Sequence, residues 1–211
     1  MEIVNLYSNR VILNFLAHIY LSGDTPEVQL GNIIGDYIKG NQYDDYPELL
    51  RKGMLMHRDI DYFTDSHAIV KSTNHLFTER YHKYSGIITD IFYDHFLANH
   101  WSDFSADDFD EYLKGVYFLL KNNFQTLPAE MQGFASKCME NNWIKSYASI
   151  EGIGRVLWMM SQRTTLPDES RFAIEVLKTN YKLIDSQFME YFPQLIDFIE
   201  HKYKIGIRRA A

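Results

Sequence analysis

Two pairs of polar side chains interrupt the apolar helical patterns of this sequence at a spacing suited to metal binding. His57 and Asp61 in "MHRDID" are four residues apart, as are Asp90 and Asp94 in "DIFYDHFLANHW". In an α-helix, residues four apart project from one face about one turn apart, so each pair can reach one ion. Two helices presenting these pairs to each other would form an oxygen and nitrogen site for Mn²⁺, Mg²⁺ or Fe²⁺.

Asp36 and His18 add polar groups in the same part of the chain. Asp36 follows "NIIG", so its carboxylate is expected at or near the interior, where it needs a cation, an arginine or hydrogen bonds. His18 lies in "NFLAHIYLSG", and a lone histidine in an apolar helix is more often a core residue than a ligand. "MHRDID" also fits a solvated helix face on which Arg58 pairs with Asp61. The residues alone leave these alternatives open.

Helices must position these groups, because the segments between the five prolines repeat with a helical period. We predict an all-α fold, a single-domain helical bundle over residues 1–211. "PEVQLGNIIGDYIKG" predicts a helix that begins at Pro26 and stops near Gly40. The last helical pattern covers residues 167–200.

Aromatic residues at helical spacings are expected to form the core rather than a cofactor site. This prediction covers Tyr93, Phe96, Trp101, Trp143 and Trp158.

Charge and cysteine content narrow the class of protein. A formal net charge of −7 argues against broad affinity for nucleic acid, which needs a concentrated basic face. The single cysteine, Cys138, excludes an internal disulfide and a multi-cysteine zinc site. Without a recognisable secretory leader, a cytoplasmic location is expected. Charged or amide residues break every hydrophobic run, so no membrane span is expected.

Four sequence blocks resemble, in order and spacing, those of the acyl carrier protein phosphodiesterase family, also called acyl carrier protein hydrolases: "NFLAHIYLSG", "GNIIGDYIKG", "GMLMHRDIDYFTD" and "DIFYDHFLANHW". The resemblance continues through "GIGRVLWMMSQR" and "FMEYFPQLIDF" and covers about residues 13–200. It implies an all-helical fold distantly related to the metal phosphohydrolases named for a His-Asp pair. It also implies Mn²⁺- or Mg²⁺-dependent hydrolysis of the phosphodiester that joins 4′-phosphopantetheine to a serine of holo acyl carrier protein, giving the apo carrier.

The sequence contains no His-Asp dipeptide, so the metal ligands cannot be transferred by that motif and are assigned on physical grounds. We expect Asp36, His57 and Asp94 to be ligands, with Asp61 a fourth ligand or a group that orients His57. We expect His18 or Asp90 to accept the proton of the attacking water.

Basic residues are expected to bind the substrate. Arg58 would hold the phosphate as a bidentate donor, and Arg163 in "MSQR" is a second candidate. Because both the carrier protein and this chain are acidic, docking would need a local basic cluster. The candidates are Lys39, Arg51, Lys52 and Arg58, and the tail "KYKIGIRR".

Two other functions stay open at this point. One is a metal-dependent phosphohydrolase that acts on a nucleotide or another small phosphodiester. The other is a non-catalytic helical binding protein whose buried acids pair with arginines.

Overall fold

Helices make up the regular structure in the described part of the chain. The computed structural model describes residues 15–207 and residue 209, and no β-strand occurs among them, so the all-α prediction is confirmed. Residues 1–14 of the predicted domain and Arg208 of the basic tail lie outside the described residues. Among the described helices, none combines the length and apolar character that crossing a membrane requires.

The α-helices are α1 (Phe15–Leu21), α2 (Pro26–Ile34), α3 (Glu48–Ser66), α4 (Ala68–His75), α5 (Thr78–Tyr81), α6 (Ser85–Asn99), α7 (Trp101–Phe104), α8 (Phe109–Asn122), α9 (Ala129–Asn141), α10 (Trp143–Ser146), α11 (Ile150–Ser161), α12 (Ser170–Thr179) and α13 (Tyr181–Tyr203).

Two helix boundaries differ from the sequence prediction. The helix expected to continue to Gly40 ends at Ile34 and is followed by a 3₁₀ turn, Gly35–Tyr37. The pattern over 167–200 is divided at Asn180 into α12 and α13. Pro193 lies inside α13, where apolar residues buried on both sides of it oppose the helix-breaking effect of proline.

Glycines allow α2 and α3 to pack backbone against backbone. A Cβ placed on Gly31 would lie 2.1 Å from the carbonyl oxygen of Leu50, and a Cβ on Gly53 would meet the α2 backbone equally closely. No other residue fits at such distances, so glycine is required for this approach. A Cβ on Gly35 would lie 2.6 Å from the Cβ of His57. The crossing therefore places His57 directly against the end of α2.

Helices α6 and α13 supply the aromatic centre of the core. Phe96 of α6 stacks on Phe188 of α13 with 6.1 Å between the ring centroids. Tyr93, Phe96 and Trp101 are buried, as predicted. Trp158 is 52% exposed, so its prediction as a core residue is wrong. The reason is that α11 buries its aliphatic face, which includes Leu157, so that the following residue, Trp158, faces solvent.

Candidate metal centre

Four of the predicted polar residues converge where α1, α2 and α3 meet. His57 Nε2 lies 3.3 Å from Oδ1 of Asp36 and 3.4 Å from Oδ2 of Asp61. His18 Nε2 lies 3.3 Å from Oδ1 of Asp61, and the two imidazole rings stack with 4.2 Å between their centroids. We call this set of His18, Asp36, His57 and Asp61 the histidine–aspartate centre.

Asn32 of α2 fixes the proton positions on both imidazoles. Its Nδ2 donates to the backbone oxygen of His18 at 3.0 Å and to Ser22 Oγ at 2.8 Å, which orients the amide. Its Oδ1 therefore accepts from Nδ1–H of His18 at 2.7 Å and of His57 at 3.2 Å. A neutral imidazole that donates from Nδ1 carries a lone pair on Nε2, so both rings present ligand atoms to the carboxylates.

The two Nε2 atoms fit a bound metal ion. Both are buried, and neither makes a hydrogen bond within the described residues, while carboxylate oxygens lie 3.3 to 3.4 Å from them. With Nδ1 donating to Asn32, a lone pair on Nε2 would face these oxygens, and a cation between the groups would remove the repulsion. One ligand atom from each of His18, His57 and Asp61 lies within 4.8 Å of the other two, which suits ligands about 2.0–2.6 Å from one shared ion.

Electrostatics and access also favour a cation at this centre. Burial opposes protonation of His57, but the Asp36 and Asp61 carboxylates outweigh burial and raise its pKa above the ordinary value. The His18 and His57 side chains are 2% and 4% exposed, whereas that of Asp61 is 44% exposed. A substrate would therefore approach from the Asp61 side.

Asp94 lies against the first turn of α1. Its Oδ2 accepts the backbone N–H of Leu16 at 3.0 Å, and its Oδ1 accepts that of Ala17 at 2.9 Å. Burial raises the pKa of Asp94 to about 7, although these two amides lower it. Among the described residues, the group whose ligand atoms converge is His18, His57 and Asp61, and it includes neither Asp94 nor Asp36; Asp36 reaches the centre through His57 Nε2, 3.3 Å away. The expected ligand role of Asp94 stays a prediction, and the contacts it makes hold the helix that carries His18.

Asp90 lies one turn before Asp94 and lines a small, partly open cavity. This cavity of about 20 Å³ is also lined by Asp94 and Tyr93, and it has room for about one water molecule. Burial, followed by nearby carboxylates of which Asp61 is the strongest, raises the pKa of Asp90 well above its ordinary value. A raised pKa keeps the proton on a carboxyl group to higher pH, so the proton acceptance expected of Asp90 stays a prediction.

The predicted substrate-binding residues lie in different surroundings. Arg58 Nη2 donates to the backbone oxygens of Ile38 at 3.0 Å and Gly40 at 2.8 Å, so part of its guanidinium holds the segment after Asp36. Lys39 is exposed in that same segment. Arg163 is exposed beyond the end of α11, a helix that packs on α6 and α12. Phosphate binding by these residues stays a prediction.

Sequence reasoning missed Asn32. It is fully buried, and its side-chain oxygen contacts both histidines. The signal that could have found it is an amide side chain within an apolar helix stripe, between Leu30 and Ile33.

Comparisons with known proteins give a consistent result. Residues 13–195 match the family model of acyl carrier protein phosphodiesterase. A protein of that name from Klebsiella pneumoniae (strain 342) is 30% identical over 90% of this chain and 99% of its own length. One from Yersinia pestis is 27% identical, and one from Serratia proteamaculans is 26% identical, with the same coverage of both chains. No solved structure matches this chain significantly, so the expected relation to His-Asp phosphohydrolases stays a prediction.

Proposed function

Because the chain belongs to the acyl carrier protein phosphodiesterase family, we propose that it hydrolyses the phosphodiester between 4′-phosphopantetheine and holo acyl carrier protein. The observation that carries the proposal is the histidine–aspartate centre, in which two buried Nε2 atoms without hydrogen bonds face carboxylates. Imidazole and carboxylate ligands of this kind can hold a metal ion that promotes phosphodiester hydrolysis.

We assign His18, His57, Asp36 and Asp61 to the metal ion, with Asn32 orienting both imidazoles. His18 thus moves, in this proposal, from proton transfer to metal binding. When bound, the ion would supply Lewis-acid chemistry that polarises the phosphoryl group and lowers the pKa of a water molecule. Mixed imidazole and carboxylate ligands suit Mn²⁺ better than Mg²⁺, which prefers oxygen ligands alone.

The other polar residues act on the proton and the phosphate. Water adds to phosphorus, the bond from phosphorus to the serine oxygen breaks, and the serine leaves with a proton while the phosphate stays on pantetheine. Asp90, whose raised pKa favours proton exchange, is proposed to move that proton. Lys39 and Arg163 are proposed to attract the anionic substrate to the open side of the centre.

Mass spectrometry of the carrier protein tests this function. Purified protein with Mn²⁺ should convert holo carrier to apo, with loss of the mass of phosphopantetheine, and EDTA should stop the reaction. His57→Ala should abolish conversion, whereas His100→Ala, which changes the same residue type outside the centre, should not. Holo carrier that keeps its arm with Mn²⁺, Mg²⁺ and Fe²⁺ alike would refute the proposal.

The same preparations separate the alternatives. Hydrolysis of nucleotides while holo carrier stays intact would indicate a phosphohydrolase of small substrates. A folded protein that binds neither Mn²⁺ nor Mg²⁺ in a metal titration would indicate a non-catalytic binding protein. A cytoplasmic location is part of the proposal, and cell fractionation would test it.

A further inference from the structure

An open groove begins one residue beyond the histidine–aspartate centre. Its volume is about 490 Å³, and Tyr37 and Ile38, which directly follow Asp36, form part of one wall. Leu127 and Pro128, just before α9, line it from another part of the chain. Asp36 of the centre and Tyr37 of the groove are consecutive residues, with Cα atoms about 3.8 Å apart, so the centre and this wall of the groove adjoin along the backbone.

The lining of the groove is mixed and carries no positive side chain among the described residues. Tyr37, Ile38 and Leu127 supply apolar surface, while Gln42 and Thr126 supply polar groups. Gln42 Oε1 accepts Lys39 N–H at 3.1 Å and Thr126 Oγ1 donates to the Asn123 oxygen at 2.7 Å, which leaves the Gln42 amide nitrogen as a donor and the Thr126 oxygen as an acceptor for a ligand. A volume between about 300 and 1,000 Å³ is typical of sites for small organic ligands. The surface thus suits an uncharged chain that contains both alkyl and amide groups.

Two acidic residues lie at the groove and disfavour an acidic protein surface there. Asp45 lines it, and Glu130 is close enough to contribute to the raised pKa of Tyr37, after burial and Asp36. An acidic carrier protein would be repelled here. A neutral extension of the substrate would not be.

Arg58 fixes this wall relative to the centre. Besides its hydrogen bonds to Ile38 and Gly40, its guanidinium lies over the Tyr43 ring, 4.7 Å from the ring centroid. Arg58 directly follows His57 on α3, so the helix that presents a candidate ligand also holds the groove in position.

Resting on the proposed function, we propose that this groove binds the pantetheine arm while the phosphate lies at the histidine–aspartate centre. The arm is an uncharged chain with a dimethyl branch and two amides, which match the apolar wall and the polar groups of Gln42 and Thr126. The carrier protein body then stays outside the groove, near which Asp45 and Glu130 lie. Arg58 is a positioning residue for the wall.

Filling the groove tests the proposal. Thr126→Trp introduces a large ring at an exposed lining position, and Gln125→Trp places the same ring on its exposed neighbour, which does not line the groove. Thr126→Trp should reduce kcat/KM for holo carrier at least about tenfold more than it reduces hydrolysis of bis(4-nitrophenyl) phosphate, which has no arm. Gln125→Trp should change neither reaction. Equal losses on both substrates, or no loss on holo carrier, would overturn the proposal.

A binding measurement keeps this test separate from that of the proposed function. Saturation-transfer NMR with pantetheine and EDTA-treated protein should give signals for the wild type and for Gln125→Trp, and much weaker ones for Thr126→Trp. Gln42→Trp fills the groove from the other wall. It replaces Thr126→Trp in this test if Thr126→Trp does not fold, and the same loss of pantetheine signals is expected for it. If holo carrier keeps its arm but pantetheine binds in this pattern, the proposed function fails and the groove assignment stands. No binding by the wild type would overturn the groove assignment.

Discussion

Two histidine–aspartate clusters in this protein use the same residue types with different results. At the histidine–aspartate centre, the Nδ1 atoms of His18 and His57 are bonded to the amide of Asn32, and their Nε2 atoms have no hydrogen bond to any residue that the structure describes. In the second cluster, His100 is bonded through Nδ1 to Asp103 at 3.0 Å and through Nε2 to Asp185 at 2.6 Å.

The difference lies in which groups satisfy the ring nitrogens. A histidine between two carboxylates is satisfied by protonation, and Asp185 and Asp103 raise the pKa of His100 although burial opposes this. His57 also lies near two carboxylates that raise its pKa against burial, but its Nδ1 is bonded to an amide that it shares with His18. In the His100 cluster both ring nitrogens are bonded to carboxylates, whereas at the histidine–aspartate centre two Nε2 atoms face carboxylates, an arrangement that can hold a metal ion. Neighbouring His and Asp residues therefore indicate a metal site only when the remaining hydrogen bonds are known.

The largest effect is expected from matched histidine substitutions. His57→Ala should lower release of the arm from holo carrier more than about 100-fold, beyond the loss typical of residues that only orient a ligand. His100→Ala should keep near-normal activity, because the His100 ring pairs with Asp103 and Asp185, neither of which belongs to the histidine–aspartate centre. Mass spectrometry of the carrier measures both, with circular dichroism to verify folding. Comparable losses in the two variants would break the distinction between the clusters.

Asn32→Ala tests whether the amide prepares the two imidazoles. The substitution removes the acceptor for both Nδ1–H groups, so the rings lose their fixed tautomer and orientation. We expect Mn²⁺ affinity to fall about 10- to 100-fold. Calorimetric titration with Mn²⁺ measures this, and Ser22→Ala, which removes only one partner of the amide, should have a smaller effect. Wild-type affinity in Asn32→Ala would contradict the role.

Asp94→Asn tests whether Asp94 is a metal ligand or a hydrogen-bond acceptor that stabilises the start of α1. An amide group cannot accept on both sides, so one N–H of Leu16 or Ala17 loses its partner. We expect the free energy of unfolding to fall by about 1–3 kcal/mol even in EDTA, measured by urea denaturation. Unchanged stability in EDTA together with weaker Mn²⁺ binding would instead support the ligand role predicted from the sequence.

The smallest effect concerns the pH dependence of the His100 cluster. The folded-state pKa of His100 is raised above the ordinary value of 6.5. The stabilisation from its pairing with Asp103 and Asp185 is therefore fully present below pH 6.5 and is lost as the pH rises through the folded-state pKa. Between pH 6 and 9, the wild type should lose up to about 1 kcal/mol of stability relative to His100→Gln. Urea denaturation across this range measures the difference. A parallel pH dependence in both proteins would show that His100 does not contribute.

The local sequence pattern already indicated part of the centre. The spacing of His57 and Asp61 places both on one face of α3, and the apolar surroundings of Asp36 placed its carboxylate near the interior. These predictions depend on helical periodicity, which acts over one or two turns. The same reasoning suggested the wrong environment for Trp158, because periodicity does not say which face of a helix will be covered.

By itself, the sequence determined the helical class, the family and the spacing of the acids and histidines. The tertiary structure alone decided that His18 stacks on His57, that Asn32 contacts both, and that Asp94 holds the α1 amides. These contacts join residues far apart in the chain. They depend on the glycine-mediated approach of α2 to α3, a distance set by packing between helices rather than by the pattern within either one.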